Sequence, residues 1–393
     1  MTSPPRDIYL NNAATTWPKP ERVIDAVQAH LHRLPGESGR STDELTVDPV
    51  QEARETVSEF LGCKEPDHLI FTSGATQSLN MLIHGFAAGQ EDMFHVITTD
   101  LDHNSVLRPL TTLADNNRIE VSVIPSRDGY IHSSDIISAI RDDTRLFVIN
   151  QGSNVLGTVQ NIHEIHSALK RADLFMIVDG SQTAGQIPVD LSRLGADAFV
   201  FTGHKYLFGM PGIGGFWIRD PDVVQPIIQG GTGTNSANLR QPSILPERYE
   251  AGTPNYPGIV SLEAGISYLR EIGNSRIADH QRKCIDAFYD PLKDSDQIIK
   301  YHPTPDIPVF PVNIKGMDPD TAGFVIRTTY GIITRTGLHC APLIHARITD
   351  GKGCVRLSPS ILTDPSDCRF AGEVLASLGD QVQSAGTTSK ASQ

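Results

Sequence analysis

The sequence predicts an α/β protein in which a mostly parallel sheet is covered by helices on both faces and is followed by a smaller α+β region. Three observations carry this expectation. Seven short strand-like segments, His68–Thr72, Val96–Thr99, Ile119–Ile124, Leu146–Asn150, Phe175–Asp179, Ala198–Thr202 and Gly214–Ile218, mostly alternate with helix-patterned stretches. Helical crossovers of this kind carry the chain back across a sheet, so successive strands run the same way. Some of these segments, above all Leu174-Phe-Met-Ile-Val-Asp179, are apolar throughout, as strands buried on both faces are. Residues able to do chemistry follow directly after several strands, where ligands bind on such sheets.

Along the chain, Glu21 to Leu34 reads as a helix. Pro18 and Pro20 precede it, and Val23, Ile24, Val27 and Leu31 recur at helical spacing. A polar Gly/Ser loop is expected at Pro35–Asp43. Pro49–Leu61 carries a second apolar stripe made of Val50, Ala53, Val57, Phe60 and Leu61. Helical patterns also cover Ser133–Arg141 and Ile162–Lys170. After Arg219 the texture changes. Gln225 to Gly258 is rich in Gly, Pro, Ser, Thr and Asn and reads as long functional loops. Ser261–Ile272 is a helix, and the chain to about Leu378 reads as the smaller α+β region. Ser384–Gln393 is polar and expected to be disordered.

Composition narrows the function classes. The chain of 393 residues is long enough for about two domains, and its formal charge of -13 comes with no basic cluster. Nucleic-acid binding through an electrostatic footprint is disfavoured. The amino terminus has no apolar signal core and no apolar run approaches a membrane span, so a cytoplasmic location is expected. The five cysteines, Cys63, Cys284, Cys340, Cys354 and Cys368, are odd in number and scattered. They fit free thiols in a reducing compartment better than a disulfide scaffold. His339 and Cys340 are adjacent, but no second His/Cys pair at metal spacing completes a site, so no metal is expected.

Three segments point to one cofactor. Phe201-Thr-Gly-His-Lys205 places a lysine at the mouth of a strand, beside a hydroxyl and an imidazole. Partial burial would lower the lysine pKa and free the amine to form a Schiff base. Asp179 ends a buried strand and would serve as the anionic partner of a pyridinium nitrogen; standing alone, it would equally serve as a helix N-cap. In Phe71-Thr-Ser-Gly74-Ala75-Thr76 a strand turns through glycine into a helix, with Leu79, Leu82, Ile83 and Phe86 on one side. Free N–H groups at that helix start, with the Thr76 hydroxyl, form an anion cup. No Walker lysine and no dinucleotide fingerprint accompany it, so a single phosphate suits it. Pyridoxal 5'-phosphate needs all three parts.

Further ordered segments carry a resemblance: Ile8-Tyr-Leu-Asn-Asn-Ala-Ala-Thr-Thr, Leu101-Asp-His103-Asn-Ser, Ser153-Asn154-Val-Leu-Gly, Val178-Asp-Gly-Ser-Gln182, Tyr249-Glu-Ala-Gly-Thr253-Pro-Asn and Thr334-Arg335-Thr-Gly-Leu-His-Cys340-Ala-Pro-Leu. With these the chain resembles the class V aminotransferase group of fold-type I pyridoxal phosphate enzymes, and within it the cysteine desulfurases. The resemblance extends from Ile8 to about Thr363. It implies a large cofactor-binding domain over residues 21–258 with a seven-stranded sheet. A smaller domain at 259–383 would carry the catalytic cysteine, with residues 1–20 as its N-terminal arm and 384–393 as a tail.

The resemblance also assigns roles. His103 would stack on the cofactor ring and relay protons. Asn154 would bond the cofactor's phenolic oxygen or the substrate, and Gln182 that same oxygen. Gly74, Ala75, Thr76, Thr202 and His204 would hold the phosphate, and Thr253 would contact the phosphate of a neighbouring subunit, which implies a homodimer. Arg356 would fork the substrate α-carboxylate, a task its two parallel N–H groups suit, and Arg335 would support the same region. Lys205 would take the α-proton of L-cysteine. Cys340 would attack the substrate sulfur, leaving alanine and a persulfide to be passed to an acceptor.

The compact segment around Cys340 resembles the second group of desulfurases, in which sulfur often passes to a partner protein. Leu338 and the Ala341–His345 continuation depart from that group's His-His-Cys-Ala-Met-Pro pattern, and Asn11-Asn12 replaces Asp-Asn or Asp-Ser. These departures bear on the acceptor and on the choice between L-cysteine and L-selenocysteine, not on the cofactor set. Rival readings are a selenocysteine lyase, a Cβ–S lyase that needs no protein thiol, and a non-catalytic member of a sulfur-transfer complex.

Overall fold

The structure is a computed structural model that describes residues 7–32, 48–169, 174–233 and 237–390. The chain opens with strand β1 (Ile8–Tyr9) and helices α1 (Glu21–Leu31) and α2 (Pro49–Phe60). The last part of the first expected helix and the loop expected at Pro35–Asp43 lie outside the described residues. There follow β2 (Leu69–Thr72), α3 (Ala75–Ala88), β3 (Phe94–Thr99), α4 (Asn104–Asp115), β4 (Ile119–Ile124), α5 (Ser133–Ala139) and β5 (Thr144–Asn150). Next come α6 (Ile162–Leu169), β6 (Phe175–Asp179), α7 (Leu191–Leu194), β7 (Ala198–Thr202) and β8 (Gly214–Ile218). Lys170, the expected end of α6, is outside the described residues.

All seven expected strands join one sheet in the order β2-β8-β7-β6-β5-β3-β4. Only β8 runs against its neighbours, β2 and β7. The strands alternate cleanly between two apolar layers. Phe199 and Phe201 of β7 enter the core covered by α1, α2 and α6, whereas Ala198 and Val200 enter the core covered by α3 and α4. Burial on both faces is the physical reason that inner strands such as β6 and β7 are almost wholly apolar, whereas the edge strand β4 leaves Glu120 exposed.

The remaining elements are α8 (Tyr256–Ile272), α9 (Asn274–Tyr289), β9 (Ile298–Lys300), β10 (Phe310–Ile314), α10 (Pro319–Tyr330), β11 (Ile332–Ile333), α11 (Pro342–Ile348), β12 (Val355–Leu357) and α12 (Pro365–Lys390). Strands β9, β10 and β12 form a small antiparallel sheet, and β1 pairs in parallel with β11. Their apolar faces share a separate core with α9, α10 and α12.

Two boundaries differ from the sequence expectation. Helix α8, placed at the start of the small domain, buries Ile259, Leu262, Ile266 and Leu269 in the large-domain core. The chain changes cores within α9, between Ile277 and Cys284. Residues 384–390, expected to be disordered, continue α12 to Lys390. A helix already anchored by Ala371, Val374, Leu375 and Leu378 has passed its costly nucleation, so it propagates through a Ser-Ala-Gly-Thr-Thr-Ser-Lys end of modest helix propensity. Residues 391–393 lie outside the described residues.

One buried ion pair fastens the loop segment before α8 to the sheet. Arg54 of α2 is 2% exposed and meets both Glu250 oxygens at 2.8 Å. It also donates to the Leu69 carbonyl, and Glu250 accepts from the Phe71 N–H at 2.6 Å. Removing one partner strands the other charge. Arg54→Met is expected to cost about 3–5 kcal/mol, read as a shift in the chemical denaturation midpoint, and Arg270→Met at the exposed Arg270–Glu59 pair less than about 1 kcal/mol.

Candidate active site

The parallel strands deliver their carboxyl ends to one edge of the sheet, and a cavity of about 340 Å³ opens there. Asn150 and Asp179 are register partners at the ends of β5 and β6, so the two strand ends stand level. From β2 come Gly74, Ala75 and Thr76; from the segment after β3 comes His103; after β5, Asn154; after β6, Gln182; after β7, His204 and Lys205. Thr202 and Asp179 line the same space. The small domain adds Arg335 and Arg356, so twelve of the fourteen residues singled out by sequence share one cavity.

The turn from β2 into α3 explains the glycine. Gly74 has φ +147°, and α3 begins there without a side-chain cap. Its first N–H groups have no intrahelical carbonyl to meet and stay open to an anion. Gly214 of β8 lies against this turn; a Cβ there would stand 2.7 Å from Gly74 Cα.

Burial pushes the Lys205 ammonium down to about 8; Asp179 opposes that shift, and Arg356 and Arg335 add to it. His103 is pushed down to about 4 by burial first and by Lys205 second. Its Nδ1 accepts from the Ser105 N–H at 3.0 Å, so the neutral ring carries its proton on Nε2. Asp179 accepts the Ser181 N–H at 2.9 Å and the Ser181 hydroxyl on the same oxygen, Oδ1. Arg356 is 1% exposed and donates to the Asn154 carbonyl at 2.9 Å and to Asn11 Oδ1 at 3.3 Å. Burial lowers it to about 10, which leaves it a cation at neutral pH.

Two predicted residues stand outside this cavity. Thr253 is exposed and lines an adjoining cavity of about 210 Å³, bounded also by Ser73, Gln77 and Gly212. Cys340 lines a third cavity of about 290 Å³, which shares Thr76, His103 and Ser105 with the first. Arg335 joins the two, because it lines the Lys205 cavity and its Nη2 lies 3.6 Å from Cys340 Sγ. His339 and Cys340 both have left-handed backbones, at φ 50° and 58°. Such residues cost on the order of 1–2 kcal/mol each, so the surroundings must hold the turn. Asn154 Nδ2 donates to the His339 carbonyl at 2.8 Å, and the Asn104 N–H to the Cys340 carbonyl at 2.7 Å.

The residues fit pyridoxal phosphate. Among the described residues, Gln182 Oε1 and His204 Nδ1 are buried without a hydrogen-bond partner, and both residues line the cavity beside the uncapped helix start. A phosphorylated aromatic aldehyde brings polar atoms to such groups.

The fold also assembles a cluster that sequence spacing does not show. His339, His345 and Cys354 bring three metal-capable atoms within 4.8 Å of one another, all buried, whereas the spacing of His and Cys predicts no such group. Burial lowers the pKa of both imidazoles and Arg356 adds to the shift, so a dication here would face the repulsion of a nearby guanidinium. Other contributors left no sequence signal beyond their neighbours. Asp102 is fully buried and pushed up to about 7 by burial. It accepts from the hydroxyls of Thr98 and Thr99 and from the Asn150 N–H at 2.8 Å, tying the ends of β3 and β5 together.

Known proteins share this arrangement. The sequence pattern described as aminotransferase class-V matches residues 8–368. A cysteine desulfurase of Yersinia pseudotuberculosis serotype O:1b (strain IP 31758) is 32% identical over 356 residues, which cover 85% of this chain and 84% of that protein. A probable cysteine desulfurase of Methanothermobacter thermautotrophicus is 30% identical over 386 residues, covering 95% of each. The apo structure of a cysteine desulfurase from Thermococcus onnurineus NA1 superposes with a TM-score of 0.87 at 26% identity, covering 96% of this chain and 95% of that one. With the fold-type I sheet and the match spanning both domains, the chain belongs to the class V aminotransferase family, among its cysteine desulfurases.

Proposed function

We propose that this protein is a pyridoxal phosphate-dependent cysteine desulfurase that converts L-cysteine to L-alanine and keeps the sulfur as a persulfide on Cys340. One observation carries the reading: Arg335 spans from the Lys205 cavity to Cys340 Sγ, 3.6 Å away. A shared guanidinium puts the thiol beside the space where a substrate bound over Lys205 would hold its sulfur.

When bound, pyridoxal phosphate supplies an aldehyde for Lys205 and a ring that takes up the electron pair released at the substrate Cα. The N-terminus of α3, with Thr76, Thr202 and His204, holds the phosphate. Asp179 keeps a proton at the ring nitrogen, with Ser181 fixing the carboxylate. Asn154 and Gln182 serve the phenolic oxygen. His103, neutral and protonated on Nε2, lines the cavity and would border the cofactor without adding charge. Arg356, a cation held by Asn154 and Asn11, receives the substrate carboxylate on its remaining donors. The Lys205 amine takes the α-proton at Nζ. The Cys340 thiolate then attacks the substrate sulfur; an S–S bond forms, the Cβ–S bond breaks, and the alanine fragment keeps that electron pair and gains a proton.

Thr253 faces outward in a cavity next to the phosphate cup, which supports a homodimer in which each copy completes the other's site. The opening of Cys340 onto a cavity beside that of Lys205 supports passage of the sulfur to an acceptor. A cytoplasmic location suits five free thiols, and among the described residues no helix is long and apolar enough to cross a membrane.

Incubation with L-cysteine is expected to yield alanine and one added sulfur on Cys340 by mass spectrometry. Cys340→Ser should keep the bound cofactor's visible absorbance yet lose alanine formation by roughly 10²-fold or more; undiminished turnover would instead mark a Cβ–S lyase that needs no protein thiol. Only the unprotonated amine attacks an aldehyde. Condensation of pyridoxal phosphate with the cofactor-free protein should therefore accelerate as pH rises through about 8, the value to which burial brings Lys205. Asp179 favours the ammonium, so Asp179→Asn should move this midpoint down. An unshifted lysine midpoint near 10.5 would contradict the assignment.

A further inference from the structure

The hydrogen-bond order of the buried His339–His345 pair follows from the one partner that can only accept, the Arg335 carbonyl. His339 Nε2 lies 3.2 Å from the Arg335 carbonyl, which can only accept, so Nε2 carries a proton. Burial, reinforced by Arg356, keeps the ring neutral, so its Nδ1 is bare. His345 Nε2 stands 3.2 Å from that Nδ1 and must be the donor. His345 is held neutral, at about 4, by burial and Arg356. Its own Nδ1 is then bare and lies 3.3 Å from Thr349 Oγ1, whose proton goes to the His345 carbonyl at 2.8 Å. Each ring is confined to one tautomer, protonated on Nε2.

This chain of bonds ends at the cysteine. His339 immediately precedes Cys340 and is the first of the two left-handed residues. Its carbonyl is held by Asn154 and its ring by His345 and Arg335. The His345 end is firm because α11 is fastened to the large domain by the Arg347–Asp100 ion pair, whose Asp100 is 3% exposed. Arg335, in turn, is locked to Arg356 by two backbone hydrogen bonds of 3.1 and 2.8 Å.

We propose that His345 is a positioning residue for Cys340, fixing the His339 ring and through it the left-handed turn that aims the thiol at Arg335 and the substrate cavity. This rests on the reading of Cys340 as the sulfur acceptor. It assigns a role to a side chain that touches neither substrate nor cofactor. A zinc ion on the same three side chains would need Nδ1 of His339 and Nε2 of His345 both bare, the opposite of the donor role that the Arg335 carbonyl imposes on His345.

The test uses the holoenzyme and two variants. His345→Leu removes the donor and keeps bulk; His345→Gln places an amide N–H where Nε2–H stands. The rate of Cys340 alkylation by iodoacetamide, read by peptide mass without L-cysteine present, reports the thiol's placement independently of desulfurase activity. The Leu variant should change that rate about fivefold or more and lower alanine formation about tenfold, with KM for L-cysteine held. The Gln variant should return both to within about twofold of the parent, and the bound cofactor's absorbance should be the same in all three. A Leu variant matching the parent, or Leu and Gln variants equally impaired, would overturn the proposal. Selective ¹⁵N-histidine NMR of the parent protein needs no variant to fold: His339 and His345 must both show a bare Nδ1 and a protonated Nε2. Any other tautomer, or stoichiometric zinc in the isolated protein, overturns it as well. If alanine forms without Cys340, the desulfurase reading fails, while the alkylation and NMR results still decide the role of His345.

Discussion

Everything at the site depends on strands of one direction ending at one edge of the sheet. Parallel strands β3, β5, β6 and β7 must each return through a crossover, so each ends in a segment that is free to leave the sheet. That constraint gathers residues far apart in sequence, from Gly74 to Lys205, around one space. It also places Lys205 deep enough for burial to lower its pKa, while Asp179 on the neighbouring strand keeps the shift moderate. The reversed strand β8 is tolerated because its glycine end, Gly214, lets the turn at Gly74 close over it.

The small domain supplies what the sheet cannot: two guanidinium groups and a thiol. Arg356 crosses between the cores, bonded to the Asn154 carbonyl of the large domain and paired by backbone with Arg335. The N-terminal arm closes the same junction. Thr16 N–H and Lys19 Nζ both donate to the His204 carbonyl at 3.0 Å, and Thr16 Oγ1 donates to the Lys205 carbonyl at 2.9 Å. The peptide that carries Lys205 is thus held from outside the sheet, and the lysine's free end is left to the cavity.

Much of this was legible in the chain because the signals were local. Apolar segments located all seven strands, and an inner strand such as β6 is apolar up to Asp179 because it is buried on both faces. Lys205, Asp179 and the Gly74 turn announced themselves as polar groups or glycine directly after such runs. Other parts had no local signal. The tail beyond Ser384 reads as polar, yet it is helical because α12 is anchored upstream. The boundary at 258/259 followed a change of loop texture, whereas α8 chose its core by an apolar stripe that fits the large domain. His345 and Cys354 lie on separate elements, and only folding makes them neighbours of His339.

By itself, the sequence determined the positions of the seven sheet strands, most of the residues that line the Lys205 cavity and the presence of a thiol in a short segment before α11. Periodicity and strand-end chemistry are properties of consecutive residues, and they survive without knowledge of packing. Tertiary structure alone decided that Cys340 occupies a cavity next to that of Lys205 rather than the same one, with Arg335 between them. It alone decided that His339 and His345 meet in a buried pair and the core to which α8 belongs. Those outcomes depend on which surfaces meet, and contacts between residues more than a hundred positions apart leave no trace in local pattern.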